Sequence, residues 1–374
     1  MVNTLPASIL KLTSCKICRF SKLRLTCFNT ANILSESVIM KRIVLFFAMI
    51  AALTAPLAGA ADKPLILSTI KPVHALVSTI AGDTAETIQM VPDYASPHHY
   101  SLKPSDLRRL AKASLVFRID PMMEAQLNKS LNTINQDKVI VLSRSAGIQL
   151  LEAGHSHHEA SHSGSEETEH SDEAGDKAKD SHKEHEEHEE HEEHSGSEHS
   201  DEAKDYHLWL DPHNAIAMVK TIRDRLSNAL PDHKTQFETN AQKLIAAIEL
   251  TDSQIREQLA AVTTQPYLVM HDAWQYFTKH YELKQLGSIT QQEGLQASGK
   301  AISDARRLIQ SSGVSCIVTE PGVKIRTLRV LTEDLKVSTT EIDPLGRAIP
   351  LSDQTYPELL RYTATQLRSC LEPK

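Results

Sequence analysis

Ligand-type side chains follow several strand-like apolar runs of this sequence. His271, Glu320 and Asp343 each come directly after such a run, and His98 lies a short loop beyond another. In open α/β sheets, ligands bind beyond the carboxyl ends of the strands, so these side chains are expected to point into one cleft. His207 is a further candidate. Three histidines from distant segments, completed by a carboxylate or a water molecule, form a tetrahedral site of the kind that binds zinc.

Each of these residues also has a purely structural interpretation. A histidine after a strand can cap or pack, and Asp343 and Glu320 each precede a proline and could be turn residues. Three other histidines, His99, His213 and His280, have no place at the end of a strand, and we expect them at the surface. The residue pattern alone therefore indicates a cleft rich in metal-ligand types and leaves the ligand set open.

A second concentration of histidine lies in the segment 154–205. Eleven of the 19 histidines fall between positions 155 and 199. Residues 151–206 include 20 acidic and 4 basic side chains, a net charge of −16, and cannot bury a core. We predict a disordered loop that captures metal through many interchangeable sites, although a solvated spacer has the same composition. Its central repeat contains His185, His188, His191 and His194.

The same segment contains the metalloprotease pattern HExxH at residues 158–162. That motif works on a packed helix with a third ligand nearby, and this copy lies in a polar tract without an apolar face. A zinc hydrolase with three histidines and a water would need a general base such as Glu320 beside an open metal position. No nucleophile motif supports that alternative, and we predict that the protein is not an enzyme.

The N-terminal region has the features of an export signal. Met40 is followed by two basic residues, the apolar run 43–53 and the small residues 58–60, which is the order of a cleavable signal peptide. The apolar run is too short to span a bilayer comfortably, which argues against a membrane anchor. We predict a signal peptide at 40–60 and interpret 1–39 as an upstream extension from a misplaced start codon.

The rest of the chain alternates strand-like and helical patterns, as parallel sheets with crossover helices do. Residues 232–261 contain no Gly or Pro and predict one helix, thirty residues and about 45 Å long, that could connect two α/β halves rigidly. Outside the acidic segment and the basic leader the chain is close to neutral, so no nucleic-acid surface is expected. Strands are predicted near 65–70, 87–91, 115–119, 139–142, 267–270, 285–287, 316–319 and 337–342, and a helix at 122–134.

Four sequence blocks resemble the signature blocks of the zinc-specific solute-binding proteins of ABC importers. The blocks occur in the order of that family, and the resemblance extends from about residue 61 to the C-terminus. It implies an α/β fold of two Rossmann-like lobes joined by one long rigid helix, with the metal site in the cleft between the lobes. The blocks are SPHHYSLKPSD at 96–106, HLWLDP at 207–212, VMHDA at 269–273 and IDPLG at 342–346.

The resemblance also implies a ligand set and a domain division. The family's ligands correspond to His98, His207 and His271, and its DPLG aspartate corresponds to Asp343. The fourth ligand would be Asp343, Glu320 or water. The lobes would comprise residues 61–230 and 263–374, with the connecting helix at 231–262.

Two cysteines, Cys316 and Cys370, remain once the leader is removed. An even pair in an oxidising compartment predicts a disulfide. The same pair matches the disulfide of the zinc-specific family members. The three earlier cysteines precede the signal peptide, and the single CxxC at 15–18 lacks the second pair that a zinc site would need.

The function implied by the resemblance is high-affinity capture of Zn²⁺ in the periplasm and its delivery to the membrane permease of an ABC importer. We expect a monomer with no nucleic-acid partner. The main alternative is a manganese- or iron-binding importer component of the same fold. Manganese-type relatives have a glutamate where this chain has His271, so a nitrogen-rich site here favours zinc.

Overall fold

The computed structural model describes residues 63–153, 204–290 and 293–372. The upstream extension 1–39, the signal peptide 40–60 and residues 154–203 of the histidine-rich segment lie outside these ranges. The HExxH pattern and the repeat from His185 to His194 therefore lie outside them too. Among the described helices, none is long and apolar enough to cross a membrane.

A four-stranded parallel sheet forms the N-terminal lobe. Its central strands are covered on both faces, so their apolar runs are continuous rather than alternating, and both are almost wholly buried. The strands, in the spatial order β2-β1-β3-β4, are β1 (Leu65–Ser68), β2 (Glu86–Gln89), β3 (Leu115–Arg118) and β4 (Val139–Val141). The helices between them are α1 (Lys71–Ala81), α2 (Pro104–Lys112) and the short α3 (Asn128–Leu131).

The predicted helix at 122–134 is wrong over most of its length, because only a 3₁₀ turn and α3 form there. Glu124 has φ −116° and ψ 44°, outside the helical region. Its buried carboxylate accepts hydrogen bonds from Arg118 Nε at 3.0 Å and from the backbone N–H of Ile119 at 3.2 Å. These contacts hold the chain in a turn at the point where the apolar periodicity predicted a continuous helix.

A short antiparallel ribbon flanks the histidine-rich segment. β5 (Leu151–Glu152) pairs with β6 (Lys204–Asp205), and an ion pair joins Lys204 to Glu152. The predicted loop boundary at residue 205 is therefore wrong, because Lys204 and Asp205 already belong to the folded structure. The ribbon holds the chain on either side of the segment close together, two residues before His207.

The predicted long helix is α5 (Lys234–Leu259), which follows α4 (Pro212–Ala229). Its 26 residues correspond to about 39 Å. The apolar positions of this helix recur every three or four residues except between Ile248 and Ile255, and the fully buried Thr251 fills that gap. Thr251 Oγ1 accepts a hydrogen bond from Arg361 Nη2 at 3.0 Å, so the stripe is continuous even though one member is polar. In the N-terminal lobe, α5 packs against α1 and α4.

The C-terminal lobe contains a second four-stranded parallel sheet, with the order β10-β9-β7-β8. The C-terminal helix also packs against α5, so the long helix contacts helices of both lobes. The strands are β7 (Tyr267–His271), β8 (Gln285–Thr290), β9 (Cys316–Thr319) and β10 (Ser338–Glu341). The helices are α6 (Gln275–His280), α7 (Gly299–Ser312), α8 (Ile325–Thr332) and α9 (Thr355–Leu371).

A disulfide joins Cys316 and Cys370, as the cysteine pattern predicts. The two Cα atoms are 5.6 Å apart, within the usual range for a disulfide. The bridge connects the start of β9 to the last turn of α9, and both cysteines are buried. It therefore anchors the C-terminal helix to the strand that leads to Glu320.

Candidate metal centre

Three histidines from separate segments converge between the lobes. One ring nitrogen from each of His98, His207 and His271 lies within 4.8 Å of the others. The ring centroids are 5.0 Å apart for His207 and His271, and 5.8 and 6.2 Å from His98 to these two. His207 and His271 are buried and His98 is partly exposed. The sheet topology brings His271 here as the last residue of β7, while His98 and His207 lie in loops after β2 and β6.

Two of the three rings are each oriented by a carboxylate of their own. His207 Nδ1 lies 2.7 Å from Asp205 Oδ1, and His271 Nδ1 lies 3.0 Å from Glu320 Oε1. In the neutral form of each ring, the carboxylate accepts the Nδ1 proton, and Nε2 is then the nitrogen available to a metal. This carboxylate–histidine arrangement is typical of zinc sites, where it fixes the ring orientation and increases the basicity of the ligand.

The three imidazoles differ in their affinity for protons. Burial, together with the nearby rings of His207 and His271, lowers the pKa of His98 to about 3. Burial also acts to lower the pKa of His207, but the carboxylate of Asp205 outweighs it and raises that pKa above its ordinary value. At neutral pH, His98 is therefore ready to ligate, while a proton competes with the metal for His207.

Asp343 does not join this cluster. Among the described residues, only the three histidines have ligand atoms within 4.8 Å of one another at this place. The carboxylate of Asp343 instead accepts hydrogen bonds from the backbone N–H groups of Leu345 and Arg347 and from Arg347 Nε, at 2.6 to 3.1 Å. Gly346, with φ 61°, allows the tight turn that directs these donors at Asp343.

Glu320 and Asp205 are the residues whose roles the sequence pattern missed. The sequence leaves Glu320 as either a fourth ligand or a turn residue, whereas the structure places it against His271. Asp205 belongs by composition to the acidic low-complexity segment, where a single carboxylate carries no signal. Its position two residues before His207 would have been the only clue. Its backbone carbonyl also accepts a hydrogen bond from the hydroxyl of Tyr276 at 2.6 Å, which ties this segment to the C-terminal lobe.

The other histidines outside the low-complexity segment occupy different environments. His99 is exposed and lies beside the cluster, with its ring centroid 6.3 Å from that of His98. His213 is exposed, as predicted. The prediction that His280 is a surface residue is wrong, because its side chain is only 5 % exposed. It packs edge-on against the ring of Tyr281. The prediction considered only whether a histidine follows a strand, and not its aromatic neighbours.

A cleft leads from the cluster toward solvent between the two lobes. Residues of the N-terminal lobe, Ser96 and His99, line it together with Glu293, Glu320 and Lys324 of the C-terminal lobe. The Ser96 hydroxyl donates a hydrogen bond to Glu293 Oε2 at 2.6 Å, so the lobes are in polar contact at this opening. The three-histidine cluster therefore adjoins this cleft through His271.

Comparison with known proteins agrees with this geometry. The high-affinity zinc uptake system protein ZnuA of Yersinia pestis is 29% identical over 333 residues, covering 89% of this chain and 98% of that protein. The ZnuA protein of Haemophilus ducreyi is 31% identical over 331 residues, covering 88% and 99%.

Solved structures match the fold along most of the chain. A crystal structure of ZnuA aligns with a TM-score of 0.64 at 20% identity, covering 83% of this chain and all of that one. A zinc-bound deletion mutant of ZnuA aligns with a TM-score of 0.62 at 19% identity, covering 84% of this chain. At this identity the structures support the two-lobed α/β architecture alone.

The family assignment rests on a match that includes both lobes. A family model described as ZnuA, zinc-uptake complex component A, periplasmic, matches residues 66–370. That range contains all three clustered histidines, both sheets and both cysteines of the disulfide. The chain therefore belongs to the family of periplasmic zinc-uptake components of the ZnuA type.

Proposed function

We propose that this protein captures Zn²⁺ in the periplasm and delivers it to the membrane permease of an ABC importer. His98, His207 and His271 are the ligands, and water occupies the fourth position. The observation that carries the proposal is the convergence of these three ring nitrogens within 4.8 Å of one another, beside the interlobe cleft that His271 lines. Relatives that are 29–31% identical over nearly their full length are named zinc uptake proteins, which supports the same cargo.

The donor set supports zinc over manganese or iron. Three imidazole nitrogens suit tetrahedral zinc, whereas manganese prefers more oxygen ligands and a higher coordination number. The nearest carboxylates, Asp205 and Glu320, are hydrogen-bonded to the ligand rings, and Asp343 is held by its own loop. Because these carboxylates are already engaged, we assign the fourth position to a water molecule.

The test is a competition titration of the exported protein with zinc and manganese against a chromogenic chelator. We expect one tight zinc equivalent and much weaker binding of manganese. The metal-loaded protein is then incubated with ester, peptide and β-lactam substrates, and we expect no turnover because its family consists of solute-binding proteins. Equal affinity for the two metals, or steady turnover of a substrate, would overturn the proposal.

We expect the affinity for zinc to fall as the pH falls, mainly because a proton competes at His207. The pKa of His207 is raised, so this competition begins above the ordinary value of 6.5. His98, with a pKa of about 3, remains unprotonated over the same range. The variant Asp205→Asn removes the carboxylate, so burial then lowers the pKa of His207 and moves the fall in affinity to lower pH. Titrations between pH 8 and pH 5 measure this, and an identical pH profile in both proteins would contradict the explanation.

The family is periplasmic, and we propose that this chain reaches the periplasm through a cleaved signal peptide. Cleavage after residue 60 would leave Ala61 as the first residue of the exported protein. N-terminal sequencing of periplasmic material should therefore begin at Ala61. A sequence that begins near Met1, or one that retains Met40, would refute this assignment.

We propose that the histidine-rich segment supplies additional, weaker metal sites and is not part of the tight site. Replacing residues 154–203 with Asn-Gly should remove several weak zinc equivalents and keep the tight one. The replacement gives a three-residue hairpin loop with Ala153, which suits the β5–β6 ribbon and retains the pair between Glu152 and Lys204. Calorimetric titration of both proteins decides the matter. Loss of the tight equivalent would mean that the segment contributes a ligand to it.

A further inference from the structure

A second group of metal-ligand side chains lies apart from the three-histidine cluster and shares no residue with it. The ligand atoms of Asp211, His213 and His280 lie within 4.8 Å of one another. Asp211 and His213 lie at the start of α4, and His280 is the last residue of α6. Two of the three residues were predicted to be ordinary surface histidines, so only the packing of α6 near the start of α4 reveals the group.

A carboxylate orients the ring of His280 toward this group. The side chain is 5 % exposed, and Nε2 lies 2.7 Å from Asp252 Oδ1 and 3.3 Å from Arg256 Nη2. The shorter contact, to the carboxylate, indicates that Nε2 holds the proton and that Nδ1 presents its lone pair. Nδ1 lies 3.9 Å from Asp211 Oδ2, and no hydrogen bond to Nδ1 is found within the described residues. That separation is too long for a hydrogen bond. Two ligands about 2.0–2.2 Å from one tetrahedral zinc ion are about 3.3–3.6 Å apart, so the two atoms need to approach each other by only a few tenths of an ångström around an ion.

One carboxylate oxygen of Asp211 is not used by the helix cap and can bind a metal. Its Oδ1 accepts hydrogen bonds from the backbone N–H groups of His213 at 2.6 Å and Asn214 at 3.1 Å, which caps α4. Its Oδ2 is the atom that faces His280 Nδ1. The capping interaction therefore holds the carboxylate in place without using the oxygen nearest to the histidine.

His213 completes the group from the solvent side. Its ring centroid is 4.8 Å from that of His280, and the two rings are nearly perpendicular. The side chain is exposed, so the ring can turn toward an ion without disturbing the packing of the core. One buried imidazole, one anchored carboxylate and one adjustable imidazole together offer three ligands, and solvent can supply the fourth.

We propose that Asp211, His213 and His280 form a second site for a borderline divalent cation of the Zn²⁺ type. Two local charges oppose a cation there, the positive end of α4 and the guanidinium of Arg256. Arg256 Nη2 lies 3.3 Å from Nε2 of His280 and 3.9 Å from Asp252 Oδ1. Asp211 and Asp252 offset these charges. The site therefore binds zinc more weakly than the three-histidine cluster and fills after it. This inference does not depend on the transport role, because the two sites share no ligand.

Anomalous diffraction at the zinc edge tests the second site by position, so zinc bound to the histidine-rich segment does not interfere. Crystals of the exported protein are prepared with one equivalent of zinc and with excess zinc. With excess zinc we expect a peak about 2.0–2.2 Å from Asp211 Oδ2, His280 Nδ1 and a ring nitrogen of His213. No peak at this position in excess zinc would overturn the proposal.

The variant His213→Ala tests whether the three side chains bind zinc together or only lie near one another. We expect zinc occupancy at the second position to fall at least tenfold, while the three-histidine peak remains and shows that the variant is folded. The matched control is His233→Ala, which removes another exposed histidine and should leave both peaks unchanged. Undiminished occupancy in His213→Ala would show that this residue is not a ligand and would overturn the assignment. If wild-type crystals showed a zinc peak at the second site but none at the three-histidine cluster, the proposed function would be refuted and the second site would still be supported.

Discussion

Changing His271→Ala should weaken zinc binding by roughly 100- to 1000-fold. That figure follows from the about 10–16 kcal/mol of a four-ligand structural zinc site, shared among its ligands. The loss is large because the ring is buried and its other nitrogen is held by Glu320, so solvent cannot supply an equally preorganised donor. Competition titration of zinc against a chelator of known affinity measures the change.

The matched control for this variant is His99→Ala. His99 lies beside the cluster but is exposed and outside the group of converging nitrogens, so its loss should change the affinity little. A third variant, His271→Glu, should weaken zinc binding and narrow the gap to manganese by adding an oxygen ligand. A greater loss in His99→Ala than in His271→Ala would show that the ligand assignment is wrong.

Removing the disulfide should lower the free energy of unfolding by about 4 kcal/mol. This is the chain-entropy value for a bridge between residues 54 positions apart. The double variant with Cys316→Ser and Cys370→Ser avoids a free thiol that could pair with another chain. Urea unfolding of the oxidised wild type and of the double variant gives the difference directly.

Reduced wild-type protein is the control for the loss of the disulfide. It should unfold at nearly the same urea concentration as the double variant, because both lack the crosslink and differ only by one atom at each position. The expected loss of zinc affinity is much smaller than for His271→Ala, since the bridge reaches the site only through β9 and Glu320. Equal stability of the oxidised and reduced wild type would contradict the prediction.

The alternation of buried apolar runs and helical patterns was enough to predict the strands of the two parallel sheets and the α/β class, but not the short β5–β6 ribbon. Strands that are covered on both faces have continuous apolar runs, and such a run can be recognised in the sequence without knowledge of the fold. The long helix could be predicted to within two residues at each end, because it has no Gly or Pro and its apolar stripe is regular. The region around Glu124 could not, since a buried ion pair with Arg118 overrides the helical periodicity there.

The sequence by itself also determined the three candidate histidine ligands, through the order of four blocks and the position of His271 at the end of a strand. Only the tertiary structure decided what the neighbouring carboxylates do. Asp205 and Glu320 orient the rings of His207 and His271, whereas Asp343 is held by its own loop. It also brought His280 within reach of Asp211, across 69 residues of sequence. Ligand types follow from local sequence, but the direction of a carboxylate depends on which distant donors pack against it.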